Sequence, residues 1–371
     1  MIATFFIGIL CVFMAYLSRY EKAKYGFECA FILLACFLAI RYDWGNDYKG
    51  YLFGFHEINS YNLNLLDWST LKAYSRNGEL GWAFLNVLFK PFGFFSMIIA
   101  LTVFEQYVLY RFIKKHVSRE WYWLALFLYI FSSHYMLIGA SMMRQYLVMT
   151  LYLIAIEYIY NKKLLYFIAI ILLGFTVHSS ALILLPTYFL RYIIDVKINK
   201  SVFLVLVLLY IIWSFSAPYF FSDIFSRVLN LEVFKEYNRY VPDKLTESYI
   251  QKSARLGIIF NYLLVITYLY KLSVQSTKIK FLFILGFIGI LIYPLQAIAP
   301  LFGRIGYYFG LLTIVCYPNL IKSVKKKLYR NLLLVGLVLV NIKGFFTFFY
   351  SQLWYEHFYL YKTIFEASYW M

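Results

Sequence analysis

Charged residues are scarce in this sequence: Asp, Glu, Lys and Arg make up 14% of 371 residues, whereas 63% are hydrophobic. A typical soluble domain is about half apolar and about a quarter charged. A water-soluble fold of this size cannot bury so much apolar surface, because the buried fraction is limited by domain size. The scarcity of charge therefore excludes an ordinary soluble domain.

Cysteine is also rare, and its four residues, Cys11, Cys29, Cys36 and Cys316, all fall inside apolar blocks. We interpret them as small core residues rather than as a disulfide or metal-binding set. No paired Cys or His set predicts a zinc site. The sequence also lacks the Gly-x-x-x-x-Gly-Lys loop of nucleotide-binding proteins and the Gly-x-Ser-x-Gly elbow of serine hydrolases. We therefore predict a site without a metal or other cofactor.

Long apolar runs take up most of the chain instead. The clearest are Ile2–Tyr16, Ala30–Ile40, Phe94–Tyr110, Trp121–Phe131, Leu164–Val177, Ser201–Ile212 and Phe281–Ile292. About 20 mostly apolar residues span a bilayer as a helix, and backbone groups in lipid must bond within the segment. The first run lacks the basic flank of a signal peptide, so it is predicted as a span. Without a long linker or internal repeat, we predict one all-α, polytopic transmembrane domain over residues 1–371.

Basic residues recur in every second gap between the apolar runs. The six clusters are Arg19/Lys22/Lys24, Arg111/Lys114/Lys115/Arg119, Lys162/Lys163, Arg191/Lys197/Lys200, Lys271/Lys278/Lys280 and Lys322/Lys325/Lys326/Lys327/Arg330. The positive-inside rule places them in the cytoplasm, which gives about twelve spans with both ends outside. The net charge of +17 is thus attributed to cytoplasmic loops next to the membrane lipids, and no nucleic-acid partner is predicted. Two larger segments, 41–78 and 219–254, become outer loops, and the second is predicted as a lid.

Two stretches depart from a plain crossing. Residues 79–90 are too short to span the hydrocarbon at about 1.5 Å per residue, and Pro91 and Gly93 follow directly. We predict an interfacial or re-entrant half-helix there. Pro294 and Pro300 predict that the helix after Phe281 breaks near its outer end.

The topology brings polar residues from five segments to the outer side. They are Arg41, Asp43, Asp47 and Tyr48; Glu79; Arg144 and Gln145; His178; and Arg304 and Tyr307. Each has an ordinary explanation, since an arginine can reach to headgroups, a histidine can be structural and a glutamate can favour a helix N-terminus. Glu105, within a span, is interpreted as pairing across a helix contact. In combination, the residues suit an anionic lipid-linked substrate, because arginine matches phosphate oxygens.

The order of these motifs resembles the EpsG family of Wzy-like bacterial polysaccharide polymerases. The motifs are Arg-x-Asp-x-Gly-x-Asp-Tyr (41–48), Glu-x-Gly (79–81), Arg-Gln (144–145), His-Ser-Ser-Ala (178–181) and Gly-Arg-x-x-Tyr-Tyr (303–308). The resemblance implies a C-type, multi-span glycosyltransferase of the bacterial plasma membrane that needs no metal. It would transfer a growing O-antigen or exopolysaccharide chain from undecaprenyl diphosphate to a new lipid-linked repeat on the outer face. A chain-length regulator and a flippase are the implied protein partners.

Roles follow from this resemblance. Arg144 and Arg304, with Arg41 in support, would hold the diphosphate, and Asp43 would orient Arg41. Tyr48, Gln145 and Tyr307 would contact substrate. The general base stays open between His178, Asp47 and Glu79, with His178 favoured because histidine ordinarily titrates near neutral pH.

Two alternatives remain at the sequence level. A flippase for lipid-linked sugars would also be basic and multi-span, but it should place polar groups near the midplane and show paired broken helices. A membrane sugar O-acyltransferase would need a histidine that a cytosolic acyl donor can reach, whereas His178 is predicted outside. The three functions differ in outcome. A polymerase lengthens the lipid-linked glycan, a flippase moves it across the bilayer, and an acyltransferase acylates it.

Overall fold

The structure, a computed structural model, is almost entirely helical. It describes residues 1–60, 69, 71, 72, 75, 78–132, 134–194, 199–229, 255–272, 274–297, 300–352 and 354–366. The chain forms two compact units, Met1–Tyr188 with Asn341–Met371, and Phe189–Val340. Each unit is a set of packed helices.

The first unit contains most of the motifs. Its helices are α1 (Ile2–Leu17), α2 (Gly26–Ala39), α3 (Tyr48–Ser60), α4 (Leu80–Leu88), α5 (Phe94–His116), α6 (Tyr122–Phe131), α7 (Met136–Ser141), α8 (Met143–Tyr160) and α9 (Leu164–Val177). α1 packs on α2 and α6, α2 on α5, α5 on α8, and α8 on α9. α4 packs on α3 and α9. Single-turn 3-10 helices cover Glu21–Ala23 and Arg119–Trp121, and a longer 3-10 segment, Ser179–Ile193, follows α9.

The second unit is built from the helices that follow. They are α10 (Lys200–Leu229), α11 (Arg255–Leu272), α12 (Thr277–Ile292), α13 (Pro300–Gly310), α14 (Thr313–Ser323) and the first part of α15 (Lys327–Tyr350). A 3-10 turn, Tyr293–Ala297, separates α12 from α13, and Pro300 begins the new helix. Proline suits a first helical position, because its missing N–H would be unpaired there anyway. The predicted helix break after Phe281 is therefore present.

Every apolar run predicted as helical coincides with a helix. Four described helices are long and apolar enough to cross a membrane: Phe94–His116, Lys200–Ala217, Thr277–Gln296 and Lys327–Tyr350. Three shorter apolar helices are Ile2–Leu17, Leu164–Val177 and Ile259–Leu272. At about 1.5 Å per residue, a 16-residue helix such as α1 is shorter than a hydrocarbon core of about 30 Å. The protein is an all-α membrane protein, and the number of crossings stays a prediction.

The predicted half-helix and the outer segments can be compared with the structure. α4 has nine residues and ends before a turn at residues 89–92, so its short length agrees with the prediction. α10 continues as far as Leu229, past the expected start of the outer loop at residue 219. The rest of that loop, and most of residues 61–77, lie outside the described residues.

The cysteines are only partly as expected. All four are free; Cys11 and Cys316 are buried, but Cys29 and Cys36 are exposed. The prediction that all four are core residues was wrong for these two. Both lie on α2, whose buried positions are Phe27, Ala30, Phe31, Leu34, Phe37, Leu38 and Ala39.

A segment near the C-terminus, residues 354–366, is fastened to the first outer motif, and we call it the C-terminal strap. It contains a short helix, α16 (Tyr355–Phe358), and strand β2 (Lys362–Thr363). β2 pairs antiparallel with β1 (Arg41–Tyr42). The Tyr361 ring stacks on Phe37 with centroids 4.1 Å apart, and its hydroxyl donates to the Phe37 carbonyl. The strap thereby holds the chain that connects α2 to α3.

Candidate functional site

Glu79 connects two of the predicted site residues. Its Oε2 accepts a hydrogen bond from Nη1 of Arg144, and its Oε1 lies 2.6 Å from Nδ1 of His178. The backbone N–H of Ser179 also donates to Oε1, at 3.3 Å. The Glu79 side chain is 2% exposed, whereas those of Arg144 and His178 are 17% and 23% exposed. We call Glu79, Arg144 and His178 the Glu79 cluster.

The cluster forms where three helices begin or end. Glu79 precedes the first residue of α4, Arg144 lies in the first turn of α8, and His178 follows the last residue of α9. Gly81 allows α4 to pack closely against α9. A Cβ at this position would lie 2.2 Å from Oγ1 and 3.0 Å from the carbonyl carbon of Thr176. The Glu-x-Gly motif thus combines a carboxylate with the small residue that lets it reach α9.

The negative charge of Glu79 is balanced by its direct contacts with Arg144 and His178. Burial alone would raise the pKa of Glu79, but the His178 hydrogen bond and the Arg144 charge bring it below its usual value. Glu79 is therefore ionised at neutral pH and orients His178 through Nδ1. Within the described ranges, Nε2 of His178 has no hydrogen-bond or ion-pair partner, because the pairing with Glu79 uses Nδ1. The arrangement can bind an anion beside a base.

Two aromatic residues that the sequence did not single out complete the site. The Arg144 guanidinium lies 5.7 Å from the centroid of the Tyr51 ring and hydrogen-bonds to its hydroxyl. Burial raises the pKa of Tyr51, which keeps the hydroxyl protonated. The Trp82 ring contacts Tyr51 edge-on, with centroids 5.3 Å apart. Among 23% aromatic residues, only the spacing of Trp82 one turn after Glu79 could have indicated this neighbour.

The structure directs Arg41 away from the Glu79 cluster, contrary to its predicted role. Its guanidinium is buried and donates to the Leu38 carbonyl and to Oγ1 of Thr102, at 2.9 Å for Thr102. The Glu105 charge acts on Arg41, but no ion pair of Glu105 is found among the described residues, so its pairing across a helix contact stays a prediction. Arg41 therefore holds α2 against α5, and the prediction that it supports the diphosphate is not favoured.

The other residues of the first motif are also mainly structural. Asp43 pairs with Lys49 at 3.3 Å and with Lys362 at 3.5 Å, so the prediction that it orients Arg41 was wrong. Tyr48 is fully buried, and its hydroxyl donates to the Arg41 carbonyl at 3.2 Å, which removes it from contact with substrate.

The turn within this motif is held against α7. Gly45 has φ of 128°, and a Cβ there would lie 3.1 Å from the Ala140 carbonyl oxygen. The Asp47 backbone N–H donates to Oγ of Ser141 at 3.3 Å. The Asp47 carboxylate itself is half-buried, one turn before Tyr51, and its charge acts on the Tyr51 hydroxyl. Asp47 thus stays beside the site.

The remaining predicted residues are spread over both units. Gln145 is buried next to Arg144 on α8. Arg304 and Tyr307 lie on α13 of the second unit, and both are half-buried. Over the described ranges, no group of three or more His, Cys, Asp or Glu side chains could hold a metal ion.

One known protein family matches the part of the sequence that contains these residues. The model of the EpsG family matches residues 24–363, nearly the whole chain. The chain belongs to the EpsG family. Membership of this family indicates a membrane protein that is polysaccharide-polymerase-like, and all residues of the Glu79 cluster lie within the matched range. No curated protein and no solved structure shows significant similarity to this EpsG-family chain.

Proposed function

We propose that this EpsG-family protein is a polysaccharide polymerase of the bacterial plasma membrane, with C-type glycosyltransferase architecture and about twelve spans. The donor is a growing glycan on undecaprenyl diphosphate, and the acceptor is one repeat unit on the same lipid. The observation that supports this most is the contact of Arg144 and His178 with one buried carboxylate, Glu79. An anion-binding group and a base are thereby held side by side.

In the proposed reaction, an acceptor hydroxyl oxygen attacks the anomeric carbon of the donor sugar. His178 takes the hydroxyl proton at Nε2, because Glu79 occupies Nδ1. The bond from the anomeric carbon to the phosphate oxygen breaks, and undecaprenyl diphosphate leaves with the bonding electrons. Glu79, whose side chain is 2% exposed, is proposed as a positioning residue that stabilises the imidazolium. Asp47 is the second candidate base.

Arg144 is proposed to bind the diphosphate and to stabilise the charge that develops on it. Its Nη1 is used by Glu79, but its buried Nε has no hydrogen-bond partner in the described part of the chain. A buried donor without a partner is costly, and a phosphate oxygen would satisfy it. Arg304 and Tyr307 are proposed as further substrate contacts from their place in the family motif. A chain-length regulator and a flippase are proposed protein partners.

The test uses purified protein in lipid nanodiscs with a defined undecaprenyl-diphosphate-linked repeat. A longer lipid-linked glycan supports the polymerase, whereas movement of the repeat between leaflets or an acylated sugar would instead show a flippase or an acyltransferase. We expect His178→Ala to lower the rate by about 10²–10⁴-fold and Arg144→Ala by about 10²–10³-fold. His56→Ala, an exposed histidine on α3, is the matched control and should retain activity. Full polymer length in both site variants, at equal protein level, contradicts the assignment.

A further inference from the structure

Tyr51 and Trp82 form a partly exposed aromatic pair beside the Glu79 cluster. Tyr51 lies under the Arg144 guanidinium, and Trp82 contacts Tyr51. Trp82 lies three residues after Glu79, which caps α4, and its backbone N–H donates to the Glu79 carbonyl at 3.1 Å. Both rings remain half-buried rather than enclosed in the core. An apolar wall therefore borders the charged groups of the site.

The indole N–H of Trp82 distinguishes it from tryptophans with a structural role. Trp44 is fully buried, and its Nε1 donates to the Phe358 carbonyl at 3.1 Å. Trp213 likewise donates to the Leu291 carbonyl at 2.8 Å. The Trp82 N–H has no hydrogen-bond partner among the described residues. Trp82 is half-buried, and its Nε1 is not among the buried side-chain atoms that lack a partner. The donor is therefore accessible to a bound molecule.

Aromatic side chains beside a few polar groups are typical of ligand sites. A sugar ring carries one apolar C–H face and a rim of hydroxyls, so it matches a ring surface next to a free N–H donor. A fatty chain or a bare phosphate would use only one of these two features. The chemistry of this wall therefore favours a carbohydrate over the lipid part of the substrate.

We propose that Trp82, supported by Tyr51, is the subsite for the sugar attached directly to the diphosphate. The sugar ring stacks on the Trp82 face, and one of its hydroxyls accepts the indole N–H, while Arg144 holds the adjoining phosphate. This inference rests on the proposed function, and it adds the element that recognises sugar rather than lipid. Tyr51 is a positioning residue, because it contacts both Trp82 and Arg144.

The experiment compares binding of two probes to protein in nanodiscs, bare undecaprenyl diphosphate and the same lipid carrying one repeat unit. Trp82→Leu keeps apolar volume without an aromatic face, and we expect it to weaken binding of the glycosylated lipid about tenfold. Binding of the bare lipid should not change. Trp82→Phe keeps a ring but loses the N–H, so an effect of about threefold is expected. Phe53→Leu, on the same helix as Tyr51 and with 69% of its side chain exposed, should alter neither affinity.

The outcomes separate this inference from the proposed function. If the Trp82 variants bind both probes as the wild type does, or lose both equally, the sugar subsite is wrong. If the wild type binds the glycosylated lipid more tightly through Trp82 but never lengthens the glycan, the subsite stands and the polymerase activity is wrong. Thermal unfolding midpoints check folding, and Trp82→Phe decides the result if Trp82→Leu fails to fold.

Discussion

Glu79 carries a negative charge at a position where water is almost excluded. A buried carboxylate is tolerated only when it is paired and hydrogen-bonded. Glu79 meets this requirement with Arg144, His178 and the Ser179 N–H. Removing one partner of a buried pair costs about 3–5 kcal/mol, because the remaining charge is left uncompensated. Each member of the cluster therefore affects stability as well as chemistry.

The first prediction concerns the stability of the protein at acid pH. Because Glu79 has a pKa below its ordinary value of 4.5 in the folded protein, its contribution to stability is fully present above that value. It is lost as the pH falls further through the folded pKa. At pH values below about 4.5, we expect the thermal unfolding midpoint of the wild type to fall, by about 2–4 °C for each kcal/mol of stability lost. The Glu79→Gln variant should have a lower unfolding midpoint at pH 7, and this midpoint should fall less as the pH is lowered.

Thermal unfolding of detergent-solubilised protein between pH 3 and pH 7 measures this difference. Glu57→Gln, on an exposed residue of α3, is the matched control and should follow the wild type. Parallel curves for wild type and Glu79→Gln would show that Glu79 is not the titrating group.

Sequence reasoning found the charged members of the site but not their neighbours. Glu79, Arg144 and His178 stand out, because ionisable groups at the ends of apolar helices are rare and costly. Tyr51 and Trp82 do not stand out among so many aromatic residues. Asp43 has a left-handed backbone, with φ of 47°, and its carboxylate pairs with Lys49 and Lys362 rather than with Arg41. No periodicity in the sequence encodes such a turn.

At the scale of elements, the site depends on how closely α4 approaches α9. Only hydrogen fits at Gly81, because the Thr176 side chain and backbone occupy the space of a Cβ. A methyl group there would push α4 outward and separate Glu79 from His178. A displacement of about 1 Å near reacting groups can cost about a hundredfold in rate.

We therefore predict that Gly81→Ala lowers the polymerisation rate about a hundredfold and costs about 1–3 kcal/mol of stability. Adding Thr176→Gly removes the nearest atoms, Oγ1 and Cβ, and should restore part of the rate. Rates of glycan elongation and thermal midpoints measure both effects. Gly50→Ala, at a helical position with open space, is the control and should remain active. An active Gly81→Ala variant would show that the approach of the two helices is not needed.

The C-terminal strap gives a further prediction at this scale. Tyr361→Ala removes the stacked ring and the hydroxyl bond to Phe37, so a cost of about 3–5 kcal/mol is expected. Tyr361→Phe loses only the hydrogen bond, about 1 kcal/mol. Loss of the strap should loosen the turn at Gly45 and, through α3, the Tyr51 contact with Arg144.

The measurement is glycan elongation together with protease sensitivity of the segment 41–47. Leu360→Ala, with 67% of its side chain exposed, serves as the control. Equal activity and equal protease resistance in Tyr361→Ala and Leu360→Ala would contradict a positioning role. The strap itself could not be predicted, because strands of two residues have no detectable alternation, whereas the long apolar runs specify helices through composition alone.

At the scale of the molecule, the first unit has two chemically different ends. Lys114–Glu28, Lys115–Glu157 and Arg119–Glu21 ion pairs, each at 2.6 Å, lie where α2 and α6 begin and where α1, α5 and α8 end. The Glu79 cluster and the strap lie at the opposite ends of these helices. Since the basic end is predicted to be cytoplasmic, the Glu79 cluster is predicted to face outward.

Cysteine labelling in intact cells tests this orientation. In a background without the four native cysteines, Lys49→Cys, at a 77% exposed side chain, should react with a membrane-impermeant maleimide. Glu21→Cys, at an 80% exposed side chain, should react only after permeabilisation. The reverse pattern would place the site in the cytoplasm and exclude a polymerase acting on the outer face.

The strap also sets the time at which the first motif can be completed during synthesis. The hydroxyl of Tyr361 bonds a carbonyl 324 residues earlier in the chain. At about 5–20 residues per second, a ribosome needs roughly 16–65 seconds to cover that distance. During this interval α1 and α2 are already synthesised, but β1 lacks its partner strand β2, and Trp44 lacks its hydrogen bond to Phe358. A chain that ends before the strap would therefore leave the first motif incomplete, even where the helices around it have already formed.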